Sequence, residues 1–324
     1  MEQVATNCCS SRGAALDARA AGAPGLVDVT RRENMVWIPG GTFLMGSNAF
    51  YREERPARPE NTDGFWIDRH PVTNAQFRRF VEATGYVTFS ERKPTREMYP
   101  DAAEEFLVPG SLVFIKPPRP VSLRDHRAWW AYVPGADWRH PNGPNSSIAH
   151  RDHHPVVHIN YEDAEAYAAW AGKALPSEVE WEFAARGGLE GAAYPWGDAA
   201  NPEGRYLANT WQGRFPFENL AEDGFEGTSP VDAFPPNGYG LHDMCGNVWE
   251  WTTTDYSAPG GAEKSCCQRE DPDPRHLLKV VKGGSHLCAP NYCMRARPAA
   301  RQGESVDSST CHIGFRCVVR EPAA

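Results

Sequence analysis

A chain of 324 residues is long enough to bury a substantial core without disulfide staples. Its 33 Lys and Arg against 42 Asp and Glu give a net charge of -9 with no long basic run, which argues against a nucleic-acid or anionic-membrane surface. The 29 Gly and 28 Pro are spread along the chain instead of forming one linker, so a single loop-rich domain is expected.

Residues 1 to 33 are rich in Ala, Gly and Ser and read as a disordered arm. The arm lacks the apolar stretch of a signal peptide, and no membrane-spanning run follows, so the expected location is the cytosol. The fold is expected to begin at Met35, where MVWIPGGTFLMGS reads as a β-hairpin turning on Pro-Gly-Gly, with FWID at 65 to 68 as a following strand. A helix follows Thr73 as N-cap, with Gln76 completing a capping box, Phe77, Phe80 and Val81 on one face, and Gly85 as C-cap. Asn160 caps a second helix carrying Ala164, Tyr167, Ala168 and Ala171. Ser177 with Glu180 caps a third that stops at Gly187-Gly188. Beyond residue 189, aromatics and turn residues interleave with no lasting period, and no 20- to 50-residue repeat is visible.

Nine cysteines in a reducing compartment invite a test of each pair for metal or redox work. Cys288 and Cys293 lie in the loop GGSHLCAPNYCMRARPAAR, two soft donors with no CxxC partner nearby. Tetrahedral zinc is under-supplied there, whereas low-coordinate Cu(I) is satisfied. A disulfide closing the loop and a redox-active dithiol are the alternatives. Cys317 and Cys245 read as packed thiols, Cys8 and Cys9 as incidental, and Cys266-Cys267 as part of a surface loop. Asn209, Asp223, Asp243 and Glu250 offer hard oxygens in Gly-containing loops, either as calcium ligands or as turn caps. The run from His150 to His154 reads as a solvated loop. No GxSxG, HExxH, P-loop or dinucleotide fingerprint appears.

Together, WIPGGTFLMGS, HPVTNAQF, LPSEVEWEFAARGG, YPWGD, ANTWQG, EDGFEGTSPVDAFPPNGYGLHDMCGNVWEWT, KGGSHLCAPNYCMRARPAAR and HIGFRC resemble the formylglycine-generating enzymes, the sulfatase-modifying oxidases, from about residue 35 to 320. The resemblance implies an α+β, loop-rich single domain of the formylglycine-generating enzyme and C-type-lectin-like fold over residues 34 to 324. It makes Cys288 and Cys293 the copper-binding pair, with Ser285, Tyr292 and Trp249 around the pocket. It implies one calcium site at Asn209, Thr210 (carbonyl), Asp223 and Phe225 (carbonyl), and another at Asp243, Gly246 (carbonyl), Val248 (carbonyl) and Glu250.

The implied activity is copper-dependent oxidation of a cysteine in the CxPxR-type sequence of an unfolded sulfatase to Cα-formylglycine, with O2 as co-substrate and release of sulfide. The implied state is a monomer with no nucleic-acid or membrane partner. Secretory relatives carry a further cysteine shortly after the pair. Here Pro298 follows Arg297, which supports a cytoplasmic, bacterial-type enzyme. The alternative is a non-catalytic, calcium-stabilised lectin-like paralogue that binds sulfatases or peptides.

Overall fold

The structure, a computed structural model, describes residues 32–257 and 277–321. Nearly all of the expected N-terminal arm, with Cys8 and Cys9, and the Cys266-Cys267 pair lie outside the described residues.

Helices form where local capping dictates. α1 (Asn74–Thr84) opens with a capping box: the Gln76 amide donates to Thr73 Oγ1 at 3.3 Å, and the Thr73 amide donates to Gln76 Oε1 at 2.8 Å. It buries Phe77, Phe80 and Val81 on one face and ends at Gly85, whose φ of 68° is left-handed. α2 (Tyr161–Trp170) starts at Asn160, which accepts from the Asp163 amide at 2.9 Å. α3 (Glu178–Arg186) starts at Ser177, whose amide donates to the Glu180 carboxylate at 2.7 Å, and stops at Gly187. Each box contributes about 1 kcal/mol. α3 turns Glu178, Glu180 and Glu182 inward, which is tolerable only because each meets a cation: Arg301 at 2.8 Å, Arg320 at 2.6 Å and Lys282 at 2.8 Å.

The expected Pro-Gly-Gly hairpin does not form. β1 (Met35–Ile38) pairs instead with β4 (Phe65–Asp68), while β2 (Gly41–Met45) pairs with β3 (Arg58–Thr62), both antiparallel. The chain crosses between two sheets at Gly40 and crosses back at Gly64. A side chain on Gly40 would lie 2.8 Å from the Gly64 nitrogen and the Thr62 oxygen, so the glycine serves a close backbone approach, not a hairpin turn. β11 (Val318–Arg320) adds to the other edge of β4, giving the order β1-β4-β11. β5 (Gly110–Phe114) and β6 (Trp130–Pro134) form a separate antiparallel pair. A four-stranded sheet runs β10-β7-β8-β9, built from β7 (Trp249–Asp255), β8 (Leu278–Lys282), β9 (Arg301–Ser305) and β10 (Ile313–Gly314), the last parallel to β7.

One core cluster gathers Phe77, Phe80, Tyr167, Trp138, Trp249, Trp251 and Phe315. A second joins Ile38, Phe65 and Ile67 to Trp181, Phe183, Leu241 and Val318. Full burial of such side chains is worth roughly 1.5–3 kcal/mol each. Between the strands, Arg316 binds Glu250 with both side chains fully buried, and donates from Nη2 to the His242 carbonyl at 2.9 Å. Cys245 and Cys317 are buried as expected, and residues 150 to 153 are exposed. No helix among the described residues is long and apolar enough to cross a membrane.

Candidate active site

β8 delivers the chain to Gly283 and Gly284, whose φ values of 92° and 71° reverse it into the thiol loop. A side chain on Gly284 would stand 2.8 Å from Ala296 Cα and from the Arg295 carbonyl, so the two ends of the loop meet backbone to backbone. The loop is pinned from outside as well. His286 donates its amide to the Asn247 carbonyl at 2.9 Å, and Trp211 donates its amide to the Cys288 carbonyl at 2.9 Å. Within it, the Cys293 amide reaches the Ala289 carbonyl at 2.7 Å and the Cys288 amide the Ser285 carbonyl at 2.9 Å. These turns bring Cys288 Sγ and Cys293 Sγ to 3.3 Å as two free thiols, the first buried and the second half-buried.

The pair shares one proton unequally. The hydrogen bond between them pulls the Cys293 thiol down to about 6 against the cost of burial, with the Arg295 charge helping, while Cys288 is pushed well above the ordinary range. Cys293 is therefore the thiolate and Cys288 the donor. The Ser285 amide points at Cys288 Sγ, 3.4 Å away.

Both sulfurs line a cavity of about 390 Å³ with Tyr194, Trp196, Tyr206, Trp211 and Met294, and with Glu222 as its one carboxylate among the described residues. Of the other residues expected around the pocket, Ser285 is buried behind Cys288. Tyr292 is exposed within the loop, stacked on Phe215 with ring centroids 4.6 Å apart and edge-on to Trp129 at 5.5 Å. Trp249 is not brought to the cavity. It is buried in the core cluster around α1 and α2, at the start of β7.

Two of the expected calcium ligands, Asn209 and Asp243, meet at Asn247, which is fully buried. Asn209 donates from Nδ2 to the Gly227 carbonyl at 2.8 Å, leaving its Oδ1 buried with no hydrogen-bond partner. Asp223 accepts from the amides of Thr210 and Phe225 at 3.2 and 3.0 Å, and Gln212 Nε2 donates both to it and to the Thr210 carbonyl. Asp243 Oδ2 accepts from Asn247 Nδ2 at 2.9 Å while Oδ1 is buried and unpaired, and burial pushes its carboxyl up to about 7. Glu250 is more fully committed: its oxygens accept from Arg316 and Trp181, each at 2.7 Å. Gly246, φ 79°, donates its amide to the Gly283 carbonyl at 2.9 Å, and Val248 is buried between the two turns. Among the described residues, no three of His, Cys, Asp and Glu converge as a metal cluster. The donor sets fit other chemistry: two adjacent thiols, one ionised, suit a soft monovalent ion, and the orphaned Asn209 and Asp243 oxygens suit a hard cation among carbonyls.

Residues not anticipated from sequence also meet here. The segment holding Tyr51, Glu53 and Glu54 lies against the far side of the thiol loop: the Met294 amide donates to Tyr51 Oη at 3.0 Å, Arg295 pairs with Glu53, and Arg297 is buried against Glu54. The signal available was charge alone, REE at 52 to 54 against MRAR at 294 to 297.

The sequence profile of the Sulfatase-modifying factor enzyme 1-like domain matches residues 22–321. The chain belongs to the formylglycine-generating enzyme family. A formylglycine-generating enzyme of Mycobacterium tuberculosis (strain ATCC 25618 / H37Rv) is 53% identical to it over 291 residues, covering 88% of this chain and 97% of that one. The family also holds a Mus musculus protein named inactive C-alpha-formylglycine-generating enzyme 2, 42% identical over 290 residues, covering 87% and 84%. Among solved structures, PvdO from Pseudomonas aeruginosa superposes with a TM-score of 0.56 at 26% identity, covering 88% of this chain and 93% of that one. The loop-rich α+β architecture is thus the fold of the formylglycine-generating enzyme family.

Proposed function

We propose that this protein converts a cysteine within a CxPxR-type sequence of an unfolded sulfatase to Cα-formylglycine, with O2 as electron acceptor and Cu(I) held by Cys288 and Cys293. The observation that carries the reading is the thiol pair itself, two free sulfurs 3.3 Å apart in the wall of an open cavity, in a chain 53% identical to a formylglycine-generating enzyme. When bound, a monovalent copper ion on soft thiolates supplies the one-electron chemistry that O2 requires.

The chain's own residues set the conditions for that chemistry. Cys293 is ionised near neutrality and ready to bind a soft ion or meet a substrate thiol, while Cys288 retains the shared proton. The Trp196, Tyr206 and Trp211 rings line the cavity and give it apolar walls for the substrate. Tyr292 is exposed in the thiol loop and backed by the buried Phe215 and Trp129 rings, so it offers one aromatic face beside Cys293 to an extended peptide. Oxidation of the substrate Cβ by two electrons, with hydrolytic loss of the sulfur as sulfide, leaves the aldehyde. Structural Ca²⁺ would be held by Asn209, Thr210, Asp223 and Phe225, and by Asp243, Gly246, Val248 and Glu250; the two orphaned oxygens support this. A cytoplasmic setting, which keeps both thiols reduced, and a monomeric state complete the reading.

The test is to load the purified protein with Cu(I), supply a CxPxR peptide under air, and follow replacement of the peptide's sulfur by oxygen in its mass. Cys288→Ser and Cys293→Ser should each abolish conversion, and turnover in either variant refutes the assignment. A second reading, a paralogue that binds such peptides without oxidising them, draws on the likeness to the inactive Mus musculus protein. Peptide binding with no mass change in the loaded wild type would select it.

A further inference from the structure

The thiol site has a fixed positive charge set against it by a segment 242 residues away in sequence. Arg295 follows Cys293 by two residues. The Met294 amide, next to Cys293, donates to Tyr51 Oη at 3.0 Å, and the Arg295 guanidinium lies over that same tyrosine ring, so its charge stands beside the thiol loop and helps draw the Cys293 thiol down. That guanidinium is held from behind: one terminal nitrogen pairs with Glu53 Oε1, and its carbon lies 4.0 Å from the centre of the Tyr51 ring. Its Nε is buried and has no hydrogen-bond partner.

Arg297, two residues further on, shows what full neutralisation looks like here. Both of its terminal nitrogens bind the Glu54 carboxylate, its Nε donates to the Met294 carbonyl at 2.7 Å, and the pair is buried. Arg295 keeps a donor in hand, and its partner Glu53 is more open to solvent, at 17% against 0% for Glu54. The cavity wall includes Met294, Ala296 and Arg297 but not Arg295, so this charge leaves the substrate side open.

We infer that Arg295 is a positioning residue for the metal: its guanidinium is the counter-charge to the anionic assembly of two thiolates and one monovalent ion, and Glu53 and Tyr51 fix where that charge sits. The inference rests on the copper reading above. Two thiolates and one monovalent cation carry a net negative charge, and a substrate thiolate adds another. A half-buried site favours a cation whose charge survives burial, and guanidinium keeps its proton more securely than ammonium and far more so than imidazole.

The test measures Cu(I) and, separately, Ag(I) dissociation constants at one fixed pH without oxygen, by competition with a chromogenic chelator. Arg295→Met should weaken binding by about 10- to 100-fold, the usual scale for groups that support metal ligands. Arg295→Lys should lose less. Glu53→Gln separates charge from scaffolding, because it cuts the same ion pair while removing a negative charge: affinity that is unchanged or tighter supports the inference. Glu53→Gln weakening the metal as much as Arg295→Met, or Arg295→Met binding like the wild type, overturns it and leaves the copper reading standing. A wild type that binds neither ion overturns both.

Discussion

Replacing Cys288 with alanine in metal-free protein tests the origin of the Cys293 thiolate. An ordinary cysteine titrates at 9.0, whereas Cys293 is drawn to about 6, first by the hydrogen bond from Cys288 and then, against burial, by Arg295. A depressed acid is ionised above its folded value and protonated below it, so the thiolate is present from about pH 6 upward. At about pH 7 a thiol titrating at 9 is roughly 1% ionised and one titrating at 6 roughly 90%, a ~90-fold gain in thiolate. The stabilised thiolate is also a weaker nucleophile. With a Brønsted slope of about 0.4–0.5, a thousandfold change in acidity removes roughly 20-fold in reactivity, leaving alkylation only ~4-fold faster. The informative quantity is therefore the midpoint of the pH profile, not the rate. Iodoacetamide labelling of Cys293, quantified by peptide mass between about pH 5 and pH 10, should turn over near 6 in the wild type and well above it in Cys288→Ala. A wild-type midpoint near that of a free cysteine, or one unmoved by Cys288→Ala, would refute the shared-proton account.

Arg316→Met strips the fully buried Glu250 of its cationic partner, leaving only the Trp181 indole, and should cost about 3–5 kcal/mol, read as a lower urea midpoint with unchanged slope. Gly284→Ala forces a side chain to 2.8 Å from Ala296 Cα at φ 71° and should cost roughly 1–3 kcal/mol in thermal unfolding while abolishing peptide conversion. Calcium at about 100 times its dissociation constant should stabilise the wild type by about 2.7 kcal/mol per site. The increment should shrink in Asn209→Ala and Asp243→Ala, and a melting curve indifferent to calcium and to chelator would refute both sites.

What could be read from the sequence follows the range of the forces involved. The helices are legible because their caps are local: Thr73 with Gln76, Asn160 with Asp163 and Ser177 with Glu180 lie three residues apart and satisfy each other whatever the rest of the chain does. The Pro39-Gly40-Gly41 turn misleads for the opposite reason. Strand pairing is non-local, and the partner of Ile38 is Phe65, not a residue across the turn. β7 is invisible to periodicity because Trp249 to Thr252 are all buried, so no alternation marks the strand. The thiol pair stands out because its donors are five residues apart in one loop. The Tyr51 and Glu53 side of the same site is hidden by a separation of 242 residues. Trp249 lies in the core cluster, at the start of β7.

Strand β4 hydrogen-bonds β1 on one edge and β11 on the other, and Val318 also bridges to Ala174 with amide–carbonyl distances of 2.7 and 2.9 Å. The sheet is thus a clasp that Val318 to Arg320 fasten. During translation the edge of β4 stays open until Val318 to Arg320 leave the ribosome, long after the helices have been made. A nonsense codon just before Val318 would remove only a few described residues, yet it would expose a bare strand edge ready to recruit another chain. Such a product should accumulate as aggregate even though its thiol loop is intact in sequence.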